Sequence, residues 1–322
     1  MDRTALNGII HLIKIETLQN NIDNLSRTDA YKRYFLRNSE ISWAYLASMV
    51  SRNAGWNMSD LWSKPFTALL NPEKRRHLFI TYERANWLIF SDAYPQLLVY
   101  EWSKKYGTSF FHLLPLFGVS EWMRQQWEQF WIKKDKTLLL QALIINEQHL
   151  IQEPVIESPF FQHNVFNDLD YLLQERLHFS VVVLPTFDGD IFGRSVKNFL
   201  KVERRVKLGK ELAWILFHSK ERKRIFHYFC LGEFTGSRND YRKWQTVHLP
   251  QTPMLKYIYP YVYHEDNRRA DWSRKKRFSP DRLLREPWKP PRKYELTGWY
   301  ERKQQQLMLA AALFRIVGKK NG

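Results

Sequence analysis

Between Ser120 and Ile151 the apolar positions Met123, Trp127, Phe130 and Trp131 recur three and four residues apart, and Leu138 to Ile145 continues apolar until Pro154. That period keeps one helix face apolar, so the stretch predicts a helical hairpin or one long bent helix, with Trp127 and Trp131 as core. Upstream, Ser26 with Asp29 has the form of a capping box before Tyr31 to Leu36, and Asn38 or Ser39 is placed to cap a second helix running to Val50. Asn71-Pro72-Glu73 is a strong start signal, with Asn as cap, Pro at the first helical position and Glu at the positive helix end. It predicts a helix to about Tyr94, a kink or restart at Pro95, and an end at Gly107. Ser195 to Phe217 has helical periodicity, with Phe199, Val202 and Val206 in register, followed by Leu212, Ile215 and Leu216. The opposite face carries Lys197, Lys201, Arg204, Lys207 and Lys210. The one β-branched run, HFSVVVLP, predicts a short strand at Phe179 to Leu184 with no visible partner. The expected class is mainly α: a large single-body helical protein with one short strand at most.

Composition shifts after His264. Between Arg268 and Lys293 the cations Arg268, Arg269, Arg274, Lys275, Lys276, Arg277, Arg282, Arg285, Lys289, Arg292 and Lys293 face only Asp271, Asp281 and Glu286, and are interleaved with four prolines and with Trp272, Phe278 and Trp288. Pro-rich basic sequence resists compact helix and predicts an extended strap, either free to contact phosphates or wrapped back on the body with Trp272 and Trp288 as anchors. The chain therefore divides into a helical body at 1–263, a basic strap at 264–303 and, within the same domain, a docking helix at 304–322 with Leu307, Ala310, Leu313, Phe314 and Val317 on its apolar side.

Charge sharpens the picture: 50 Lys and Arg against 33 Asp and Glu give a formal net charge of +17, beside 13 Trp, 16 Tyr and 21 Phe. Such a surface attracts polyanions. Cys230 is the sole cysteine, so intrachain disulfides and CxxC sites are excluded, which fits a reducing, cytoplasmic setting. The N-terminal segment has charged residues through its apolar positions, unlike a signal peptide, and no run approaches a membrane-spanning length.

Two strings concentrate polar chemistry. Ser51 to Asp60 (SRNAGWNMSD) reads as a helix end at Gly55 followed by a polar turn, with Asn53, Trp56, Asn57 and Asp60 as candidate pocket residues or as a self-satisfied loop. Phe234 to Tyr241 (FTGSRNDY) offers Thr235, Ser237, Arg238 and Asp240 around Gly236, either as an anion nest or as a turn stapled by Arg238 and Asp240. Together with NEQHLIQ at Asn146 to Gln152, SRNAGWNMSDL and FTGSRNDY resemble an uncharacterised bacterial family of the Bacillus group, a domain of unknown function, over nearly the whole chain. The resemblance implies a cytosolic bacterial protein treated as one unit, and carries over no catalytic residue.

P-loop, GxGxxG and GxSxG motifs are missing, so nucleotide hydrolysis, dinucleotide binding and α/β-hydrolase chemistry have no motif support. Glu147, His149 and Glu153 are too few and too scattered for a metal site, and no metal or other cofactor is expected. Glu83 and Asp92 lie on an aromatic helix and are expected to be exposed; buried, either would be a candidate base. The expected function is noncatalytic nucleic-acid binding through Arg204, Lys207, Arg268, Arg269, Arg274, Lys275, Lys276 and Arg277, with Trp272 and Trp288 stacking. Two alternatives remain: an enzyme whose pocket forms where the turns at 53–60 and 235–240 meet, and a peripheral binder of anionic membranes.

Overall fold

The computed structural model describes residues 3–166, 181–196, 198–245, 249–265, 270–275 and 280–320. Helices dominate, as the apolar periodicity predicts. The N-terminal half consists of α1 (Arg3–Asn20), α2 (Asn24–Arg37), α3 (Trp43–Asp60), α4 (Lys64–Leu69) and α5 (Pro72–Tyr106), then α6 (Glu121–Lys133) and α7 (Lys136–Leu150). A single turn, α8 (Pro159–Phe161), lies between two π-helical turns, Gln152–Ile156 and Gln162–Phe166. A hairpin of β1 (Val181–Pro185) and β2 (Ile191–Ser195) follows. The remaining helices are α9 (Val202–His218), α10 (Arg222–Leu231), α11 (Asn239–Arg242), α12 (Pro280–Arg285) and α13 (Thr297–Lys320).

Most predicted start and stop signals act as read. Asn71 Oδ1 accepts the Lys74 amide at 2.8 Å, Pro72 opens α5, and Gly107 closes it at φ +64°, a conformation that glycine adopts without a Cβ penalty. Pro95 does not interrupt α5. Residues Asp92 to Tyr100 are all buried, and their packing outweighs the one amide that proline removes. The 120–151 stretch is a hairpin, reversed at Lys134 (φ +56°) and restarted by Asp135, whose carboxylate accepts the Leu138 amide at 2.9 Å.

Other boundaries move. The capping box of α2 pairs Asp23 with Ser26, so Ser26 is its third helical position and not its cap. Asn38 closes α2, and α3 begins only at Trp43. Two strands form where at most one was expected: β1 pairs antiparallel with β2, Val183 opposite Gly193. Gly193 sits at φ +146°, and a Cβ there would lie 2.0 Å from the Val182 carbonyl oxygen, so the residue that permits this pairing also erases the strand signal. The outer edge of β2 is covered by the C-terminal part of the strap, through Gly193 N to Tyr294 O at 2.9 Å and Leu296 N to Ile191 O at 2.8 Å.

The main core gathers α1, α2, α3, the second half of α5, α6, α7, α9 and α10. Its centre is a polar chain inside apolar packing: Trp127 Nε1 donates to Gln96 Oε1 at 2.8 Å, Gln96 Nε2 to Asp92 Oδ2 at 2.6 Å, and Asn146 Nδ2 to the same oxygen at 2.7 Å. Phe111 stacks on the Trp127 indole at 5.6 Å, so this tryptophan is core, as predicted.

The strap wraps back on the body. Trp272 donates to Asn146 Oδ1 at 3.0 Å and stacks on His149 at 4.5 Å, while Trp288 meets His218 edge-on at 5.4 Å. Asp271 accepts the Glu121 amide at 3.0 Å, Asp281 accepts Trp122 Nε1 at 3.0 Å, and Lys210 Nζ donates to the carbonyls of Leu283 at 2.5 Å and Glu286 at 3.2 Å. The last helix starts at Thr297, earlier than expected. It docks through Tyr300, Gln304, Leu307 and Ala311, and leaves Leu313 and Phe314 exposed.

Candidate functional site

The two polar strings converge, although nearly 180 residues separate them. SRNAGWNMSD is not a turn. It is the C-terminal half of α3, buried throughout, and Gly55 lies inside the helix. A Cβ at Gly55 would stand 2.4 Å from Asn24 Oδ1 and 2.9 Å from Phe234 Cζ, so glycine serves close packing here and not termination.

Along this helix the side chains of Asn53, Trp56, Asn57 and Asp60 find partners in the second string or its surroundings. Arg238 Nε donates to Asp60 Oδ2 at 2.6 Å and its Nη2 to Asn57 Oδ1 at 2.6 Å. Arg238 Nη1 donates to the Tyr241 hydroxyl at 2.8 Å. Trp56 Nε1 donates to Asp240 Oδ2 at 3.0 Å, and Asp240 also accepts from the Thr235 amide and hydroxyl. Asn53 imitates a strand partner, accepting the Val183 amide at 2.7 Å and donating to the Val183 carbonyl at 2.8 Å. Burial lowers the pKa of Arg238, but the Asp60 carboxylate together with the Tyr241 and Tyr300 hydroxyls outweighs it, and the guanidinium stays firmly charged. Burial raises Asp240, against the hydrogen bonds from Thr235 and Trp56.

These contacts settle the local chemistry. Arg238 pairs with Asp60 and not with Asp240. The amides proposed as an anion nest are committed: Ser237 N to Thr235 Oγ1 at 3.2 Å and Arg238 N to Thr252 Oγ1 at 2.8 Å. Asn53, Trp56, Asn57, Asp60, Ser237, Arg238 and Asp240 are all buried. Their convergence forms an interlocked seam between α3 and α11.

Glu83 and Asp92 are buried, contrary to expectation. Glu83 is held by Arg27 Nη2 at 2.5 Å, by the Tyr259 hydroxyl and by His264 Nε2 at 3.0 Å. Burial alone would raise its pKa, but Arg27 leads the opposing contributions and the net shift is downward, which removes Glu83 as a neutral-pH base. Asp92 is taken by Gln96 and Asn146. Burial also pushes the Cys230 thiol up. Glu147 behaves differently: burial raises it to about 7, despite hydrogen bonds from Gln148 and Trp43.

A family model described as "Protein of unknown function (DUF2515)" matches residues 19–301, which include both strings and most of the strap. The chain belongs to the DUF2515 family. It is 43% identical over 310 residues, 95% of each chain, to the uncharacterized protein YppC of Bacillus subtilis (strain 168). No solved structure matches. The seam between α3 and α11 is thus part of the DUF2515 unit. Among the described residues no cluster of His, Cys, Asp and Glu has metal-binding geometry, and no helix is long and apolar enough to cross a membrane.

Of the cationic candidates, Arg204 and Lys207 are exposed on α9, Arg274 is exposed, and Lys275 pairs with Glu153. Arg268, Arg269, Lys276, Arg277 and Lys197 lie outside the described residues. Lys210, read with the solvated face of α9, is instead buried as the clasp on α12. Sequence reasoning passed over Arg52 and Lys32, which line a cavity of about 370 Å³ with Leu25, Ser26, Thr28, Asp29, Gly232 and Phe234. The only hint was the arginine inside SRNAG.

Proposed function

We propose that the protein binds a polyanion, nucleic acid foremost, through sequence-independent phosphate contacts along α9 and the strap. The observation that carries this reading is the Lys210 clasp. Its bonds to Leu283 and Glu286 set α12 against α9, where exposed Lys207 stands one turn before Lys210 and Arg204 one turn before that. Arg282 and Arg285 on α12, and Lys289 just after it, are exposed as well. Arg268, Arg269, Arg274, Lys276 and Arg277 belong to the same proposal through their place in the strap. Trp272 and Trp288 face the body, so phosphate contact supplies the binding and indole stacking does not.

Fluorescence anisotropy with single-stranded DNA, duplex DNA and RNA at two salt concentrations tests this, beside the variant Arg204→Glu/Arg282→Glu/Arg285→Glu. Affinity should fall with salt, with a log–log slope of roughly 0.9 per duplex phosphate neutralised, and the variant should flatten it. Salt-insensitive binding, or an unchanged variant, sinks the reading. Binding to anionic vesicles but to no nucleic acid would replace it with the membrane alternative.

A further inference from the structure

Buried arginines need counter-charges or a full set of acceptors, because an uncompensated charge in a low-dielectric interior is costly. Among the described residues, Arg27 has Glu83 and Arg238 has Asp60. Arg205 has no acid within bonding distance but donates from all three nitrogens, to Gln148, Gln152 and the carbonyls of Phe199 and Leu200. Arg242 donates to Tyr300, Gln304 and the Pro250 carbonyl.

Arg52 breaks the pattern. It is 1% exposed, its Nε and Nη1 have no partner, and Nη2 makes only two long contacts, 3.5 Å to the Phe229 carbonyl and 3.4 Å to that of Gly232. The Tyr228 and Phe234 rings, 6.0 and 5.4 Å away, offer faces but no acceptor oxygens. The nearby carboxylates are engaged elsewhere: Asp29 with Arg33 at 2.5 Å, and Asp240 with Trp56 and Thr235. A second cation, Lys32, lines the same cavity and donates to the Cys230 carbonyl at 2.8 Å. Burial lowers the pKa of each, and the Arg52 charge lowers Lys32 further. Two cations of like sign thus share one wall with no acid of the chain bonded to either.

We infer that this cavity, between α2, α3 and the segment after α10, binds a phosphate-class oxyanion, free or carried on a small molecule, with Arg52 and Lys32 as its counter-charges. The Ser26 hydroxyl on the same wall is spent on the Asp23 carbonyl at 2.9 Å, but the Thr28 hydroxyl, 2.6 Å from Ser51 Oγ, can turn its proton to an oxyanion when Ser51 donates to it, and Leu25 and Phe234 supply an apolar flank. A volume of about 370 Å³ exceeds that of inorganic phosphate and leaves room for a small substituent. The site is separate from the ridge of α9 and the strap.

Full-length protein is titrated with sodium phosphate and, separately, glycerol phosphate, against sodium chloride at matched ionic strength, with ³¹P line width and melting temperature as readouts. Saturable binding is expected. Arg52→Met should weaken it at least about tenfold, in keeping with the loss of hydrogen bonds from a charged donor. Lys32→Gln should weaken it several-fold, while Arg282→Glu leaves it unchanged. Because Arg52→Met removes an unpaired charge and keeps most of the volume, its melting temperature without phosphate should equal or exceed that of the wild type. Tighter binding of the ester would identify a phosphorylated small molecule, and equal binding would identify free phosphate. Absence of saturable binding of either probe, or binding that survives Arg52→Met, overturns the inference. If Arg52→Met does not fold, undiminished binding by Lys32→Gln overturns it equally.

Discussion

Replacing Arg238 by Met tests whether the seam between α3 and α11 holds the fold. The guanidinium is 3% exposed and donates to Asp60, Asn57 and the Tyr241 hydroxyl at 2.6, 2.6 and 2.8 Å. The substitution roughly keeps the volume but strands a 6%-exposed carboxylate and two polar oxygens. Breaking one side of a buried pair costs about 3–5 kcal/mol, a large part of the 5–15 kcal/mol that typically separates folded from unfolded protein. Urea denaturation followed by far-UV circular dichroism should show the midpoint falling accordingly. The double variant Arg238→Met/Asp60→Leu should recover part of the loss, with a coupling of at least about 1 kcal/mol, because the stranded charge is gone. A single-variant loss under about 1 kcal/mol, or simple additivity in the double variant, would refute the argument that this ion pair is structural.

Further outcomes follow from other contacts. Gly55→Ala should destabilise by roughly 1–2 kcal/mol in the same denaturation assay, since the Cβ meets Asn24 Oδ1 at 2.4 Å and overpacking outweighs the propensity gain of about 1 kcal/mol; a raised midpoint would contradict this. Glu147, raised by burial from 4.5 to about 7, binds more protons folded than unfolded, so its contribution is intact below pH 4.5 and is lost as pH rises through 7. At about 1.36 kcal/mol per pH unit the full loss is about 3.4 kcal/mol, and about 2 after allowance for partial solvent access. Glu147→Gln should therefore stabilise at pH 8 and not at pH 4, whereas an equal effect at both would exclude the titration. Lys210→Met removes the two carbonyl contacts of the clasp and should speed tryptic cleavage at Arg282 and Arg285 with little change in far-UV circular dichroism; unchanged cleavage would mean that the indole anchors alone hold the strap.

Elements whose signals are local were legible. Asn71-Pro72 and Gly107 bound α5 because cap and turn chemistry act within one helical turn, and Trp127 was readable as core from spacing alone. Long-range facts were not. Gly55 looked like a terminator because its actual reason, the approach of Asn24 and Phe234, comes from distant segments. Glu83 looked exposed because Arg27 lies 56 residues before it and Tyr259 and His264 lie 176 and 181 residues after it. Half of the seam was visible as two polar strings, but not that they would satisfy each other. Arg52 was invisible as a site because what distinguishes it is a missing partner, which no sequence pattern encodes.

The strap's return to the body bears on how the chain comes to be folded. Glu121 N waits for Asp271, Trp122 for Asp281 and Asn146 Oδ1 for Trp272, contacts that span 126 to 159 residues. A ribosome adding 5–20 residues per second would therefore present the α6–α7 hairpin many seconds before its polar rim could close. During that interval the nascent hairpin must be hydrated or sheltered, and the strap acts as the last stitch. Substitutions at Trp272 or Asp281 should then reduce yield during synthesis more than they reduce the stability of protein already folded.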